Sequence, residues 1–449
     1  MAHPTQDNDP RYATALAHEA LSAGNLPLAW CAASELRRRK QATPAILNML
    51  GLIEVKVGAY AAARAACAEA LALSPRDKTL RANLDHALDL ESKYGANTLA
   101  GEVASAAEVG RFHLIRAWGF GFCADVDHVL GHALLAEIQG RTPVVWWGVS
   151  SLFHDSGVAN AWDAFFEPVG DLGALAAVIG SRGTDPGMVY PSKWREGAAG
   201  GDEVRARLAG PALNAFAGDG SRLGSPLLVN RAEVITVGDY FIGPIEAQTW
   251  AQPGHWSFRK RIDEVYRVLV DRYLRPTARV RAMVERAAAE LELGGTSGPV
   301  VCVHVREGDK ASEMPTIARH NADAMEIVRT RLQDDGRWRA LLITDSTHAV
   351  TRYRAEFGER VLVPDAVRTS DEHGVHNASE APIGSRERLG LEVLRDVLLA
   401  ARCDAFVGVA FSNVAGLISH MKDWPKGSCT LIGEPLHSQI NFLPHVWPA

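Results

Sequence analysis

Residues 299–310 read PVVCVHVREGDK, an unbroken apolar run that ends in a dense group of ionisable side chains. A run of this length, rich in β-branched residues, predicts a buried strand. Further strands are predicted at 340–344, 360–363, 404–409 and 428–432, with helical patterns at 318–332 and 386–401. This alternation of strands and helices predicts an α/β unit built on a parallel sheet.

A second alternating unit precedes the first along the chain. The sequence predicts a strand at 112–118 (FHLIRAW), a glycine turn at 119–121 (GFG), a helix at 125–139, and strands at 142–147, 225–230 and 234–241. A long helical connection follows from His255 to about Leu293, broken at Pro276. Two such units joined by a helical hinge enclose a cleft, and ligands of parallel sheets bind at the carboxyl ends of the strands.

The first hundred residues have a different pattern, that of a helical repeat. The spacing of small and apolar residues resembles the tetratricopeptide (TPR) repeat, with key positions at Leu47, Leu50, Gly51, Tyr60, Ala63, Cys67, Ala70 and Pro75. Only about two and a half repeats are present, so we expect the array to lean on the rest of the chain or on another subunit. A docking module for a protein partner and a dimerisation or packing module both remain open.

Charge and composition exclude several classes of protein. The 449 residues carry 47 basic and 53 acidic side chains, a net charge of −6, and these charges are interspersed. No basic stripe is present, so nucleic acid is not an expected partner. The six cysteines are scattered without CxxC or Cys/His spacing, and no 18-residue apolar run occurs. We expect a cytoplasmic protein without a transmembrane segment.

The polar residues directly after each predicted strand are the candidate site. Arg306 suits a diphosphate, because its planar guanidinium donates two hydrogen bonds to one phosphate; a structural pair with Asp309 is the alternative. Thr344-Asp345-Ser346 follows the next strand, where a helix N-cap is an equally good explanation.

Asp396 lies on an apolar helical face, so its carboxylate needs a partner. The partner is either an arginine of the chain or the ring N–H and amino group of a guanine. Ser412 precedes a helix after the strand at 404–409, where its hydroxyl either caps the helix or binds a phosphate.

Asp125-Val-Asp127 has the form of a DxD metal motif. Because it follows a glycine turn and enters a helix with His128, we interpret the two carboxylates as first-turn residues favoured by the helix dipole. No metal site is therefore predicted.

The chain resembles the fucosyltransferase superfamily, in particular the α-1,6-fucosyltransferases and, more distantly, the protein O-fucosyltransferases. The resemblance covers about residues 111–432. It rests on five motifs in chain order: GFG at 119–121 with Asp127-His128, HVREGDK at 304–310, ITDS at 343–346, Asp396 within LRDVLLAARCDAFVG, and Phe411-Ser412-Asn413.

The resemblance implies a GT-B-type pair of Rossmann-like domains, here preceded by the all-α TPR-like array. We expect the TPR-like domain at 1–100, an acceptor-side Rossmann-like domain at 101–294 and a nucleotide-sugar-binding Rossmann-like domain at 295–449. The family further implies GDP-fucose as donor, a glycan or protein hydroxyl as acceptor, inversion at the anomeric carbon, and no required metal or other cofactor.

Site residues carry over from the family motif by motif. The implied catalytic residues are Arg306, which would bind the β-phosphate, and Glu313, the candidate base. Asp127 and His128 are alternative bases. His304 and Asp396 would recognise guanine, and Ser412 would support the diphosphate. The full set of implied substrate-binding residues is Gly119, Gly121, Asp127, His128, His304, Asp309, Lys310, Asp345, Asp396, Ser412 and Asn413.

The sequence departs from the family pattern at two positions. The family glutamate stands four residues after the motif lysine, whereas Glu313 stands three after Lys310, and Glu307 replaces a second arginine. Two alternative functions therefore remain open. One is transfer from another GDP- or UDP-sugar in surface polysaccharide synthesis, and the other is a TPR adaptor with an inactive transferase domain.

Overall fold

The computed structural model is an α/β protein with an N-terminal helical array. It describes residues 10–22, 26–56, 60–92, 110–185, 187–211, 228, 231, 233–248, 250–251, 254–258, 260–294, 297–307, 314–370 and 385–433. No helix within these ranges combines the length and apolar character needed to cross a membrane.

Five helices form the N-terminal array, and neighbouring helices pack on one another. They are α1 (Pro10–Ser22), α2 (Leu26–Arg38), α3 (Pro44–Lys56), α4 (Tyr60–Leu73) and α5 (Lys78–Leu90). Gly51 allows α3 and α4 to cross closely, since a Cβ placed there would lie 2.5 Å from the Cys67 sulfur. The Trp30 ring packs 4.1 Å from that of Trp250, so the array leans on the rest of the chain as expected. Its identity as a TPR stays a prediction.

The first sheet has four parallel strands in the order β2-β1-β4-β3. Its elements are β1 (Phe112–Arg116), α6 (Phe122–Ile138), β2 (Thr142–Trp146), α7 (Leu172–Arg182), β3 (Val189–Tyr190), α8 (Gly201–Ala209) and β4 (Ile235–Gly238). The strand predicted at 234–241 is thus confirmed but shorter. The strand predicted at 225–230 lies outside the described residues except for Leu228, which is in a turn.

The helical connection predicted from His255 is confirmed only from Ile262 onward, including its break, because residues 254–258 form turns. The helices are α9 (Pro244–Gln248), α10 (Ile262–Tyr273) and α11 (Ala278–Glu290). Pro276 lies between α10 and α11, where its ring and missing N–H prevent a continuous helix. Thr277 caps α11 by accepting from the Val280 N–H at 3.3 Å.

The second sheet has five parallel strands in the order β7-β6-β5-β8-β9. Its elements are β5 (Val300–Val305), α12 (Ile317–Asp334), β6 (Arg339–Thr344), α13 (Thr347–Phe357), β7 (Val361–Leu362), α14 (Arg386–Ala400), β8 (Ala405–Val409), α15 (Asn413–His420) and β9 (Cys429–Ile432). All five strands predicted here are confirmed. Helices α12 and α13 cover one face, and α14 and α15 the other.

One apolar core joins the two sheets. It contains α6 of the first unit together with α14 and α15 of the second. The Asp155 carboxylate, in the loop after β2, accepts from the backbone N–H groups of Arg386 and Glu387 at 3.0 and 3.1 Å. Asp155 thereby satisfies the free N–H groups at the start of α14. The domain limits at 100 and 294 remain predictions.

Candidate functional site

The carboxyl ends of β5, β6 and β8 carry most of the described candidate residues. The strand order reverses between β5 and β8, because β5 leads on to β6 on one side and β8 to β9 on the other. A crevice forms at such a switch point, outside the carboxyl ends of the strands. His304 and Arg306 lie at the end of β5, and Ser412 follows β8.

Arg306 pairs with Asp345, the first residue after β6. Their side chains are 14% and 26% exposed, so the pair borders the crevice and still reaches solvent. The Asn321 amide donates to the Arg306 carbonyl at 2.9 Å, which holds the backbone after β5. The sequence allowed Asp345 to be either a helix cap or a ligand-binding group. In the structure it is an ion-pair partner of Arg306.

Glu307, which stands where the family has an arginine, also has defined partners. Its carboxylate accepts from the Ser346 hydroxyl and from the Arg352 guanidinium, each at 2.5 Å. Ser346 caps α13 at the same time, by accepting from the Ala349 N–H at 3.1 Å. Glu307 therefore ties the end of β5 to the start of α13, the segment that carries Asp345.

His304 is a buried, neutral imidazole. Burial and, to a lesser extent, the charge of the neighbouring Arg306 lower its pKa to about 3. His304 as a whole is only 4% exposed, and its Nδ1 has no hydrogen-bond partner among the described residues. An unpaired polar atom in the interior is costly, and a ligand that pairs with it removes that cost.

Asp396 pairs with an arginine, as one of the two predicted alternatives states. Its Oδ1 accepts from Arg395 Nε and Nη2 at 2.9 and 2.7 Å. Burial raises the pKa of Asp396, while Arg395 and then Arg368 oppose that rise. No hydrogen bond to Oδ2 comes from the residues that the structure describes.

Ser412 occupies the N-cap position of α15 without acting as a side-chain cap. Its carbonyl accepts from the Gly416 N–H at 2.8 Å, whereas its hydroxyl bonds to none of the first-turn N–H groups. The contrast with Ser346, which does cap α13, is direct. The capping alternative is therefore wrong for the Ser412 hydroxyl, and Asn413 begins the helix behind it.

The glycine turn after β1 is held by a buried carboxylate. Gly119 has φ +88°, and a Cβ there would lie 2.8 Å from the Ser150 carbonyl oxygen, so only glycine fits. Gly121 has an ordinary φ of −62° and open space around it. Asp125 accepts from the Gly119 and Phe120 N–H groups at 3.0 and 3.4 Å, and burial raises its pKa to about 8.

Asp127 and His128 have separate surroundings. Asp127 Oδ1 accepts from the Tyr266 hydroxyl at 2.7 Å, and burial raises the Asp127 pKa to about 7. His128 is fully buried with Nε2 2.9 Å from the Arg116 carbonyl, and its pKa is well below the usual value because of burial. The first-turn interpretation is wrong for Asp127, since α6 begins at Phe122 and a tyrosine of α10 holds this carboxylate.

Three candidate residues, Asp309, Lys310 and Glu313, lie outside the described residues. Within the described ranges, no three His, Cys, Asp or Glu side chains gather in a way that could hold a metal ion. Asp125 and Asp127 engage different groups, the turn backbone and Tyr266.

An aromatic cluster at the edge of the first sheet was missed by the sequence reasoning. Trp118 packs on Phe120 with ring centroids 4.1 Å apart and on Phe241 with centroids 4.8 Å apart. Trp118 and Phe120 follow β1 and Phe241 follows β4, so the rule of inspecting residues after strands could have found them.

Fold and site together define an α/β protein of two parallel sheets whose second sheet presents an arginine-acid pair beside its switch point. No family model matches the chain. A curated relative, nodulation protein Z of Sinorhizobium fredii, is 21% identical over 303 residues, covering 65% of this chain and 84% of the relative.

Solved structures of similar proteins include the fucosyltransferase NodZ from Bradyrhizobium, with 17% identity, 69% of this chain and 93% of the other covered, and a TM-score of 0.45. A NodZ α-1,6-fucosyltransferase crystal soaked with GDP-fucose has 17% identity and a TM-score of 0.46. The match covers 69% of this chain and 92% of that structure. POFUT1 in complex with GDP-fucose has 12% identity and a TM-score of 0.41. The match covers 72% of this chain and 99% of that structure. The sequence match to nodulation protein Z confirms the predicted resemblance to the fucosyltransferase superfamily.

Proposed function

We propose that the protein is a glycosyltransferase that transfers fucose from GDP-fucose to a hydroxyl of an acceptor, with inversion and without a metal ion. The observation that carries this proposal is the Arg306–Asp345 pair between the ends of β5 and β6, on one side of the β5/β8 switch point and beside a buried neutral His304. In the family, the corresponding motifs bind the diphosphate and the guanine of the donor. A GT-B-type arrangement of the two α/β units agrees with this division of roles.

The donor would lie along the carboxyl edge of the second sheet. Arg306 would bind the β-phosphate, with Asp345 orienting its guanidinium. The Ser412 hydroxyl, which makes no capping bond to α15, and the N-terminus of α15 before Asn413 suit the diphosphate. Asp396 Oδ2 and His304 would recognise guanine, whose ring N–H and amino group match a carboxylate acceptor.

Asp309 and Lys310 complete the proposed donor site by their place in the motif that begins at His304. Gly119 and Gly121 shape the turn on the other sheet, and Gly121 has room for close approach of a substrate.

Catalysis would proceed by direct displacement. The acceptor hydroxyl attacks the anomeric carbon, the bond from that carbon to the phosphate oxygen breaks, and its electron pair stays on GDP. Arg306 is positioned to stabilise the negative charge that grows on the β-phosphate. Glu313 or Asp127 would take the acceptor proton, and the buried hydrogen bond of His128 argues against His128.

No metal step is proposed, because the two carboxylates of the DxD-like segment fit a metal poorly. Asp125 is fully buried and accepts from the turn backbone, whereas Asp127 accepts from Tyr266. They therefore do not converge on one ligand position.

A nucleotide-release assay tests the proposal. The full-length protein is incubated with GDP-fucose, GDP-mannose or UDP-glucose, with pooled glycan and peptide acceptors and with a chelator present. We expect GDP release and acceptor labelling with GDP-fucose, both lost in Arg306→Ala. Release with UDP-glucose instead would identify another donor class, and GDP binding without any release would identify an adaptor.

A further inference from the structure

Three aromatic rings form a cluster, here called the aromatic platform: Trp118, Phe120 and Phe241. Packing of the fold does not explain why part of this cluster is exposed. Phe120 is 53% exposed, although aromatic side chains usually contribute most when buried. It lies between two glycines at the carboxyl end of β1, next to the end of β4. Ligands of parallel sheets bind at this edge.

The platform is held rigidly. The Phe120 N–H donates to the buried Asp125 carboxylate at 3.4 Å, and the Gly119 N–H donates to it at 3.0 Å. Trp118 supports Phe120 on one side and touches Phe241 on the other. A fixed aromatic surface loses little conformational entropy when a flat ligand stacks on it.

A carboxylate oxygen lies beside the platform. A Cβ placed on Gly243 would lie 3.2 Å from Asp127 Oδ2 and 3.5 Å from the Phe241 ring, so the oxygen and the ring border the same position. Asp127 is half-buried, its Oδ1 is held by Tyr266, and no described residue donates to Oδ2. Oδ2 is therefore a fixed hydrogen-bond acceptor next to an apolar ring.

The segments around this position carry no basic residue. The five residues after β1 are AWGFG, those after β2 are WGVSS, and those after β4 are DYFIG. Within these three described segments, a phosphate or a sulfate would find no cation. A neutral ring with an apolar face and hydroxyls on its rim fits both the stacking surface and the carboxylate, and this is the surface of a pyranose.

The position is also coupled to the proposed donor edge. The Tyr266 ring that holds Asp127 stacks on His420 with centroids 3.9 Å apart. His420 ends α15, whose first residue follows Ser412, and an eight-residue helix is about 12 Å long. Tyr266 and α15 thus connect Asp127 to the proposed donor edge at Ser412 through direct packing contacts.

We propose that the aromatic platform and Asp127 bind a sugar ring of the acceptor, so that the acceptor is a glycan and not a protein. One ring face stacks on Phe120 and Trp118, and one hydroxyl donates to Asp127 Oδ2. This inference rests on the proposed function, because it assigns the acceptor class of the same reaction.

A binding experiment without nucleotide tests the acceptor site by itself. The labelled full-length protein is applied to an array of neutral oligosaccharides, sulfated oligosaccharides and Ser/Thr peptides. Wild-type protein should retain a subset of the neutral oligosaccharides. Phe120→Ala and Asp127→Asn should each lower that signal about tenfold, the equivalent of a single stacking or charged hydrogen-bond contact.

Leu73→Ala is the matched control, since Leu73 is 60% exposed in α4 and far from the platform in the chain. This variant should bind as wild type does. Binding of peptides alone, binding of no glycan, or glycan binding equal in Phe120→Ala and wild type would each overturn the proposal.

GDP affinity measured in the same variants separates the two proposals. Phe120→Ala and Asp127→Asn should bind GDP as wild type does, which a general loss of folding would not allow. Glycan binding without GDP binding would sink the proposed transferase while leaving the glycan site standing. GDP binding without glycan binding would sink only the acceptor site.

Discussion

The carboxyl edges of the two sheets have the same strand geometry and opposite chemistry. At the second sheet, the segment after β5 is REGDK, and Arg306 pairs with Asp345 across to β6. At the first sheet, the segments after β1 and β4 are AWGFG and DYFIG, and the rings of Trp118 and Phe241 pack together. One edge is charged, and the other is aromatic.

Under the proposed function, this difference assigns one substrate to each edge. A nucleoside diphosphate needs cations and hydrogen-bond donors, whereas a sugar ring needs an apolar face and a few acceptors. At the first edge, Asp125 accepts from the backbone of its own turn and His128 Nε2 lies 2.9 Å from the Arg116 carbonyl, while His128 Nδ1 has no hydrogen-bond partner among the described residues. The second edge leaves His304 Nδ1 without a protein partner among the described residues, and the Ser412 hydroxyl makes no capping bond to α15.

The largest expected effect is at the charged edge. Arg306→Ala should lower the rate of transfer about 10²–10³-fold, because one preorganised donor to the departing phosphate is removed. Initial rates of GDP release at saturating GDP-fucose measure this. Arg352→Ala is the control, since Arg352 is 46% exposed and pairs with Glu307 instead. Equal losses in both variants would mean that net charge, and not the position of Arg306, matters.

The buried Asp125 should make the stability of the fold depend on pH. Burial raises the Asp125 pKa to about 8, so the native state keeps a proton that the unfolded chain releases above pH 4. Stability at the first edge therefore falls as the pH rises from about 4 to about 8. Asp125→Asn should remove this loss and be more stable than wild type at pH 8, on the order of 2–3 kcal/mol.

Chemical denaturation at pH 5 and pH 8 measures that difference.

At the second edge, the pKa of His304 is lowered, so below pH 6.5 the unfolded chain binds a proton that the native state does not bind. Burial lowers the pKa of His128 beside β1 in the same way, so acid should increase hydrogen exchange in both β5 and β1. An Asp125→Asn gain that is independent of pH would contradict the raised pKa of Asp125, and a β5 strand that stays protected in acid would contradict the lowered pKa of His304.

The two glycines of the turn should differ in kind. Gly119→Ala should destabilise the protein by about 1–2 kcal/mol from the backbone conformation alone, with the contact to the Ser150 oxygen added. Gly121→Ala should leave the thermal midpoint unchanged, because open space surrounds that position. Gly121→Ala that unfolds the protein as easily as Gly119→Ala would show that the turn is held differently.

The smallest expected effects concern two serines after strands of the second sheet. Ser346→Ala should cost about 1 kcal/mol of stability, because Ser346 caps α13 and donates to Glu307. Ser412→Ala should leave stability unchanged and weaken GDP binding several-fold, the loss of about one hydrogen bond. A Ser412→Ala variant that loses stability but keeps its GDP affinity would restore the capping interpretation.

The sequence predicted the strands well because each is a short apolar run bounded by polar residues. β5 and β8 begin one residue after the predicted starts at 299 and 404. The neighbourhood of Arg306 and Asp345 also follows from parallel strands, whose carboxyl ends meet at one edge. Contacts between distant elements do not follow from local patterns. Tyr266 and Asp127 are 139 residues apart, and only the packing of α10 on α6 brings them together.

Side-chain partners decided the remaining questions. Asp396 was open between an arginine and a guanine, and the arginine is its own neighbour Arg395, which occupies one oxygen only. Ser412 was open between a cap and a ligand group, and its hydroxyl does not cap. Both outcomes depend on rotamers, which spacing in the sequence does not specify.

The most direct test of the central claim, that the charged edge binds a guanine nucleotide, is a calorimetric titration of the full-length protein with GDP and with UDP. Wild type should bind GDP selectively, and GDP at ~100 times its dissociation constant should stabilise the fold by about 2.7 kcal/mol. Arg306→Ala should lose affinity for the diphosphate, Asp396→Ala should lose the preference for guanine, and Arg352→Ala should behave as wild type. UDP binding equal to or tighter than GDP binding, or no nucleotide binding in wild type, would contradict the account.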